Sequence, residues 1–298
     1  MNQSPRPERV SLHCADGTVL QGHFHAAHGG ERPADRPPVL ISPATGVRQQ
    51  FYGRFAHWLC LRGHDVLVFD YRGIGLSRPA SLKGHPATLA QWGQQDQVAA
   101  VQWLVQRTGA PQVQILGHSA GGQMIGLLPN HAQVSRVVGV AASSGWMRGM
   151  PWRFRQVARL GLLVLLPLAS RFKGYAPASW LGLGEDLPRQ VARDWGRWCA
   201  AGGYATNAVK HTPELDFHED IDLPITVFHA SDDDIATPTT VQDFLRTLPR
   251  AQHRVHRLRP RDHGLSHIGH IDWFRPSHQV LWPLLAEALN PKPSTGAA

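Results

Sequence analysis

The stretch Val113-Gln114-Ile115-Leu116-Gly117-His118-Ser119-Ala120-Gly121-Gly122 decides the reading of this sequence. An apolar run of strand length ends in Gly-x-Ser-x-Gly, and a helical pattern follows over residues 120–128. A serine held on a tight strand-to-helix turn projects its hydroxyl from the edge of a sheet. Gly117 and Gly121 leave room for the strained backbone that such a turn imposes. The start of the following helix offers N–H groups without helical partners to an oxyanion forming beside the hydroxyl. Ser119 is therefore a candidate nucleophile, and the Ala120 N–H a candidate oxyanion donor.

Outward from this turn, residues 38–42, 65–70, 134–140 and 225–229 are further short apolar runs. Helical spacing fills 51–62 and 89–107 between them. Strands buried on both faces and alternating with helices imply an α/β fold with a mostly parallel central sheet flanked by helices. Residues 10–26 alternate apolar and polar around Asp16-Gly17, which predicts an antiparallel hairpin in front of that sheet. The alternation stops after Ser144. Residues 146–215 are helical in pattern, rich in Trp and Arg, and broken by Pro151, Pro167, Pro177 and Pro188. An insertion there, between two late strands, predicts a helical cap over the sheet's C-terminal edge. The expected organisation is a core of 8–145 and 216–290, a cap of 146–215, and flexible tails at 1–7 and 291–298.

Composition removes several function classes. With 298 residues and 42% hydrophobic content, the chain can bury a core and is not globally disordered. Cys14, Cys60 and Cys199 lie far apart, which excludes a disulfide framework and a cysteine zinc site. There is no Walker A pattern and no HExxH, and Gly73-Ile74-Gly75 lacks the third glycine of a dinucleotide fingerprint. His211 and His218 are not at metal spacing. No cofactor and no metal are expected. Residues 1–10 are polar and carry Pro5 and Pro7, without the apolar region of a secretory signal. The apolar stretch 160–169 contains Pro167 and is too short to span a bilayer. These features predict a soluble, cytoplasmic protein without stable membrane insertion. No motif specifies an oligomeric state.

The formal net charge is +8, from 30 Lys and Arg against 22 Asp and Glu. A basic chain suits nucleic acid, anionic lipid or an acidic ligand. The predicted cap holds ten basic and four acidic residues, a surplus of six, and five of the ten tryptophans. The charge thus reads as a property of the cap. No nucleic-acid motif accompanies it, so no nucleic-acid partner is expected. Within the cap, residues 153–172 have a basic start and an apolar middle at 160–168. An apolar helical stripe most often packs on a core; an acyl chain or a membrane surface are the other uses.

A serine hydroxyl needs a base to become a nucleophile. A histidine is the usual base, and an acid usually orients it. The strand at 225–229 runs into Ala230-Ser231-Asp232-Asp233-Asp234, so the acid is one of three adjacent aspartates. His263, His267 and His270 follow, with His253 and His256 on a strand-like run before them.

At this point the chain resembles the α/β-hydrolase superfamily, and more narrowly the bacterial hydrolases near the serine aminopeptidase/monoglyceride lipase-like group. The resemblance covers nearly the whole chain. It rests on Gly117–Gly122, on Ala44-Thr45-Gly46-Val47 before Phe51-Tyr52 and Phe55-Ala56, and on Phe69-Asp70-Tyr71-Arg72-Gly73-Ile74-Gly75-Leu76-Ser77. It rests also on Gly182-Leu183-Gly184-Glu185-Asp186-Leu187-Pro188 and on Ile268-Gly269-His270-Ile271-Asp272-Trp273-Phe274.

The resemblance implies a Ser–His–Asp triad. Its Gly-x-x-Asp-Pro-Ile-Val-Pro turn aligns with Ala230–Pro238 and selects Asp233, with Asp234 as runner-up and with Asp232 and Asp234 otherwise solvated. Its Gly-His before an aromatic pair selects His270 over His267. His118, beside Ser119, is a common neighbour in the family and not a base candidate. Where many relatives carry His-Gly after the first parallel strand, this chain has Pro43-Ala44-Thr45-Gly46. Pro43 has no N–H; Thr45, or Ala44, is the second oxyanion donor. The activity implied is cleavage of carboxylic esters of small molecules through an acyl-enzyme, as in carboxylesterases and lipases. The same triad serves thioesters, amides and acyl transfer, and a binding protein on a hydrolase fold is the non-enzymatic alternative. The cap is expected to supply an apolar acyl pocket with a basic rim, favouring hydrophobic or anionic acyl groups.

Overall fold

The computed structural model describes residues 7–29, 32–33 and 36–290. The tails expected at 1–7 and 291–298 lie, Pro7 apart, outside the described residues. The N-terminal hairpin is β1 (Glu8–His13) and β2 (Val19–His25), antiparallel across the Asp16-Gly17 turn. The alternating units follow: β3 (Val39–Ser42), α1 (Gly53–Cys60), β4 (Val66–Phe69), α2 (Leu89–Gln91) and α3 (Val98–Thr108), then β5 (Val113–His118) and α4 (Ala120–Gln123), then β6 (Val134–Val140). Between β6 and the next strand lie α5 (Trp152–Leu160), α6 (Leu166–Lys173) and α7 (Arg189–Ala201). The chain closes with β7 (Pro224–Ala230), α8 (Pro238–Leu245), β8 (Gln252–Leu258) and α9 (Trp282–Leu289).

The eight strands form one sheet in the order β1-β2-β4-β3-β5-β6-β7-β8. β1–β2 and β2–β4 are antiparallel, and the remaining pairs are parallel. β3, β4 and β5 are buried along their whole length, as their mainly apolar sequences favour, and Ser42, Gln114 and His118 are the polar residues buried with them. Each sheet face carries its own core, one around Trp92, Leu104 and Tyr71, the other around Phe55, Phe274 and Trp282.

Topology sets the site. β4 and β5 flank β3 on opposite sides, so the loops leaving β3 and β5 part at the C-terminal edge and open a crevice there. Ser42 is in register with Gly117, which places the 43–46 loop beside the Ser119 turn. The helix after that turn is shorter than the 120–128 pattern: it ends at Gln123 and continues as a 3-10 turn, Ile125–Leu127. Gly126 there lies so close to the His218 ring that no side chain fits.

Two sequence expectations change. The apolar middle of residues 153–172 is not mainly core: Leu162 and Leu166 are buried, while Leu160, Leu163, Val164, Leu165 and Leu168 are exposed. The basic surplus is not confined to the segment between β6 and β7 either. Arg246, Arg250, Arg254, Arg257, Arg259 and Arg261 cluster on and around β8; no Asp or Glu lies within that span, although Arg246 and Arg250 pair with Asp243 and Asp222. β8 is an almost wholly exposed edge strand, where charge hinders pairing with another chain. Among the described residues, no helix is long and apolar enough to cross a membrane.

Candidate functional site

Ser119 stands at φ 48°, ψ −118°, a left-handed region that few non-glycine residues occupy. Its N–H donates to the Val140 carbonyl (2.8 Å), and its carbonyl accepts from the Gly122 N–H (3.0 Å). The flanking glycines are required by contact rather than by their own dihedrals. A Cβ at Gly117 would collide with the Gly121–Gly122 backbone, and one at Gly121 with the Ser42 carbonyl.

The structure brings Ser119, His270 and Asp233 together. The Ser119 hydroxyl donates to His270 Nε2 at 2.9 Å, and His270 Nδ1–H donates to Asp233 Oδ2 at 2.8 Å. The other Asp233 oxygen accepts the Ile235 and Ala236 N–H groups at 2.8 and 2.9 Å. Burial alone would raise the Asp233 pKa; the imidazole and the two N–H groups outweigh it and hold the carboxyl below its ordinary range. This side chain is fully buried and that of His270 is 14% exposed.

The competing residues are elsewhere. Asp234 is exposed. His253 and His256 lie on β8 and His263 ends a 3-10 turn. His267 is exposed and pairs with Asp232 at 2.7 Å. Asp232 is the exposed turn residue expected, but solvent is not its only partner. It also accepts the Ile268 and Gly269 N–H groups at 3.0 and 3.2 Å, and so anchors the loop that carries His270. A pattern search misses this because the bonds come from a loop 36 residues away.

His118 has a part the sequence reading did not give it. Its Nε2–H donates to the His270 carbonyl (2.8 Å), which fixes Nδ1 as the acceptor of the Tyr52 hydroxyl (2.8 Å). The Tyr52 oxygen in turn accepts the Ala44 N–H at 2.9 Å. This chain uses the neutral imidazole, and burial together with the nearby His270 pushes the His118 pKa down to about 3. The Ala44 N–H is thus already engaged. Neither the Thr45 nor the Ala120 N–H has an acceptor among the described residues. Tyr204, a buried residue at φ 38° that sequence reasoning did not single out, lines the same cavity as Thr45.

Two further residues were missed. Gln97, fully buried at the end of a π-helical turn (Trp92–Gln97), donates to the Gly121 carbonyl (2.6 Å) and to Ser42 Oγ (2.9 Å). It thereby ties the serine turn to β3. Glu185 pairs with Arg48 and accepts the Gly75 N–H at 3.1 Å, while its own N–H donates to the Gly46 carbonyl at 2.8 Å. The Gly182–Pro188 motif is thus a clamp between the helical segment and the β3 loop. Its tightness shows at Gly184, where a Cβ would stand 2.5 Å from the Gly46 carbonyl oxygen.

A cavity of about 360 Å³ opens over Ser119 and His270. Its walls are mostly apolar: Val47, Leu183, Trp195, Ile235 and Ile271 contribute, with Tyr204 and Gln123 as polar members. Cys199 also faces it, and burial pushes that thiol up to about 12, so it stays protonated. A wider outer recess of about 510 Å³ shares Val47, Gly184 and Ile271 with this cavity. Its cations are Arg48, Arg78 and Arg275. None belongs to residues 146–215, which supply Glu185 and Asp186 there instead. The basic rim expected from residues 146–215 is therefore not found at this recess, where Arg48 and Arg275 come from core loops and are paired with Glu185 and Asp272. Among the described residues, no cluster of His, Cys, Asp or Glu could hold a metal.

The family described as serine aminopeptidase, S33, matches the chain over residues 35–267. A protein of Variovorax paradoxus (strain S110) that carries the name carbamate hydrolase RutD is 29% identical over 124 residues. That alignment covers 42% of this chain and 42% of the relative, less than half the relative's length. Among solved structures, a soluble variant of monoglyceride lipase from Saccharomyces cerevisiae, bound to a substrate analogue, superposes with a TM-score of 0.64 at 17% identity, over 97% of each chain. An esterase of Pyrococcus furiosus gives 0.62 at 15% identity, over 95% of this chain and 90% of that one. At these identities the structural likeness is one of fold.

Proposed function

The chain belongs to the serine aminopeptidase S33 family of α/β-hydrolases, and from that premise we propose that it is a serine hydrolase cleaving carboxylic esters with an apolar acyl group. The observation that carries this is the unbroken line Ser119–His270–Asp233, at 2.9 and 2.8 Å, beneath an apolar cavity. Ser119 Oγ attacks the ester carbonyl while His270 Nε2 takes its proton. Asp233 fixes the imidazole with Nδ1 protonated and stabilises the imidazolium. The carbonyl oxygen, now negative, is received by the Ala120 and Thr45 N–H groups, each worth roughly 10²–10³ in rate. His270 returns its proton to the leaving alkoxide, and an acyl-Ser119 remains. Water deprotonated by His270 then releases the acid.

In this reading residues 8–145 and 216–290 are the hydrolase core and 146–215 the cap. Leu183, Trp195 and Tyr204 are the cap's contribution to the acyl pocket. The pocket lining also speaks to the choice between ester and peptide. An aminopeptidase must compensate the ammonium of its substrate, and no carboxylate lines this cavity among the described residues. Glu185 and Asp186, in the outer recess, are already engaged by Arg48 and Ser179.

The test is a fluorophosphonate probe followed by paired substrates. Labelling of the wild type that vanishes in Ser119→Ala is expected, as is turnover of medium-chain p-nitrophenyl esters above that of aminoacyl p-nitroanilides. An unlabelled wild type overturns the activated serine; faster anilide cleavage overturns the ester assignment.

A further inference from the structure

Residues 152–173 form one continuous helical run, α5 and α6 joined by a π-helical turn at Gly161–Leu165. Helices on a folded core turn their apolar stripe inward. This run turns one outward. Val157, Leu160, Val164 and Leu168 recur at helical spacing, 68%, 51%, 50% and 54% exposed. Phe172, 80% exposed, extends the stripe at its end. Trp180 is also exposed, and Leu181 reaches back to within 3.9 Å of where a Gly161 Cβ would stand. From there the chain runs into Gly182–Gly184, the lip of the cavity over Ser119.

The charge of this stretch of chain has one sign. Between Met147 and Gly184 there are six cations and no Asp or Glu. The Arg153 guanidinium lies 5.4 Å from the Trp152 ring, and Lys173 Nζ lies 4.0 Å from the Trp180 ring. Among the described residues, no carboxylate pairs with Arg153, Arg159, Arg171 or Lys173.

We propose that this face docks the protein on an anionic lipid surface, with residues 152–173 lying flat in the headgroup layer. A second copy of the chain does not suit it, because self-association would set cations against cations with no carboxylate between them. A nucleic acid offers nothing apolar to receive Val164 and Leu168. An anionic bilayer answers both features, its headgroups taking the arginines and its acyl boundary the stripe. Docking also sets the cavity lip beside the membrane, so that a lipid ester can reach Ser119 without crossing water; this consequence alone rests on the hydrolase reading.

Vesicle co-sedimentation of the full chain tests it. Vesicles of equal parts phosphatidylglycerol and phosphatidylcholine are expected to retain the protein, and phosphatidylcholine alone is not. High salt should release it. Val164→Ser/Leu168→Ser and Arg153→Gln/Arg171→Gln should each lower partitioning at least about tenfold, with thermal unfolding as in the wild type. Ser119→Ala should bind as the wild type does, which separates this result from that of the fluorophosphonate test. Absence of binding, equal binding to neutral vesicles, or undiminished binding by both double variants overturns the proposal. So does a wild-type dimer in sedimentation that Val164→Ser/Leu168→Ser converts to monomer.

Discussion

The edge of the sheet around Ser119 and the outer face of residues 152–173 are built on opposite terms. At the edge, position is fixed by directed bonds: Asp233 accepts three, Asp232 two, and His118 joins Tyr52 to the backbone of His270. On the helical face, exposed Leu and Val alternate with cations that no carboxylate of the described residues neutralises. The first region is complete in itself and selects one geometry. The second is unfinished without something apolar and negative placed on it. A side chain changed at the edge should therefore disturb chemistry or folding, and one changed on the face should leave both nearly untouched.

The largest effect expected is that of Asp233→Asn. The amide oxygen can still accept the Ile235 and Ala236 N–H groups, so the fold should survive. The imidazole then loses the partner that holds Nδ1 protonated, and kcat should fall about 10⁴-fold. Ester turnover with unfolding measured in parallel checks this; a loss under tenfold would remove Asp233 from the reaction.

Next comes a pair of glycines, one from each region. Gly121→Ala drives a methyl into the Ser42 carbonyl, with the Pro43 carbonyl 2.8 Å from the new carbon, and should cost about 3 kcal/mol. Gly161→Ala meets only Leu181 Cδ1 at 3.9 Å in a helical backbone, and should stabilise by about 0.5–1 kcal/mol. Denaturant midpoints decide it. Equal shifts of the same sign would mean that the two regions are not built differently.

This contrast also explains what the sequence discloses. Ser119 and its glycines are legible because the turn needs particular residue types at a fixed offset from a strand end; among three adjacent aspartates and several histidines, only the family resemblance singles out Asp233 and His270. The strands are legible for a similar reason: fully buried parallel strands such as Val39–Ser42 and Val66–Phe69 admit little but apolar residues. Gln97, Asp232 and Glu185 act on groups 24, 36 and 110 positions away. Nothing local distinguishes them from surface residues. For residues 160–168 the helical period was legible and the direction of the stripe was not, because a period says that a helix has two faces without saying which one meets the core.

Acid should strain the edge more than the face. His118 is buried and neutral, its pKa pushed down to about 3 by burial and by His270, against about 6.5 in an unfolded chain. His25 is pushed down to about 4, by burial and two neighbouring histidines. For both, the unfolded chain binds the proton first as pH falls below about 6.5, so protonation favours unfolding. Each should remove up to about 1.4 kcal/mol per pH unit until its own folded pKa is reached. His118→Gln should flatten that slope, measured as unfolding midpoint against pH from neutral to acid. An unchanged slope would show that His118 is not held neutral.

The smallest effect belongs where the two regions touch. Tyr204 comes from the segment between β6 and β7, yet it shares the cavity wall with Thr45 of the β3 loop. Burial pushes its pKa well above the ordinary value, so its hydroxyl stays neutral. Tyr204→Phe removes that hydroxyl and leaves the ring in its place, and unfolding should shift by no more than about 1 kcal/mol. If the hydroxyl serves only the fold, the change appears in unfolding and kcat stays constant. If it serves the reacting ester across the cavity, kcat falls about fivefold at unchanged KM, because the contact strengthens in the transition state. The second outcome is expected. Tyr204 stands in a left-handed backbone conformation against the cavity wall, a cost that a purely structural hydroxyl does not require.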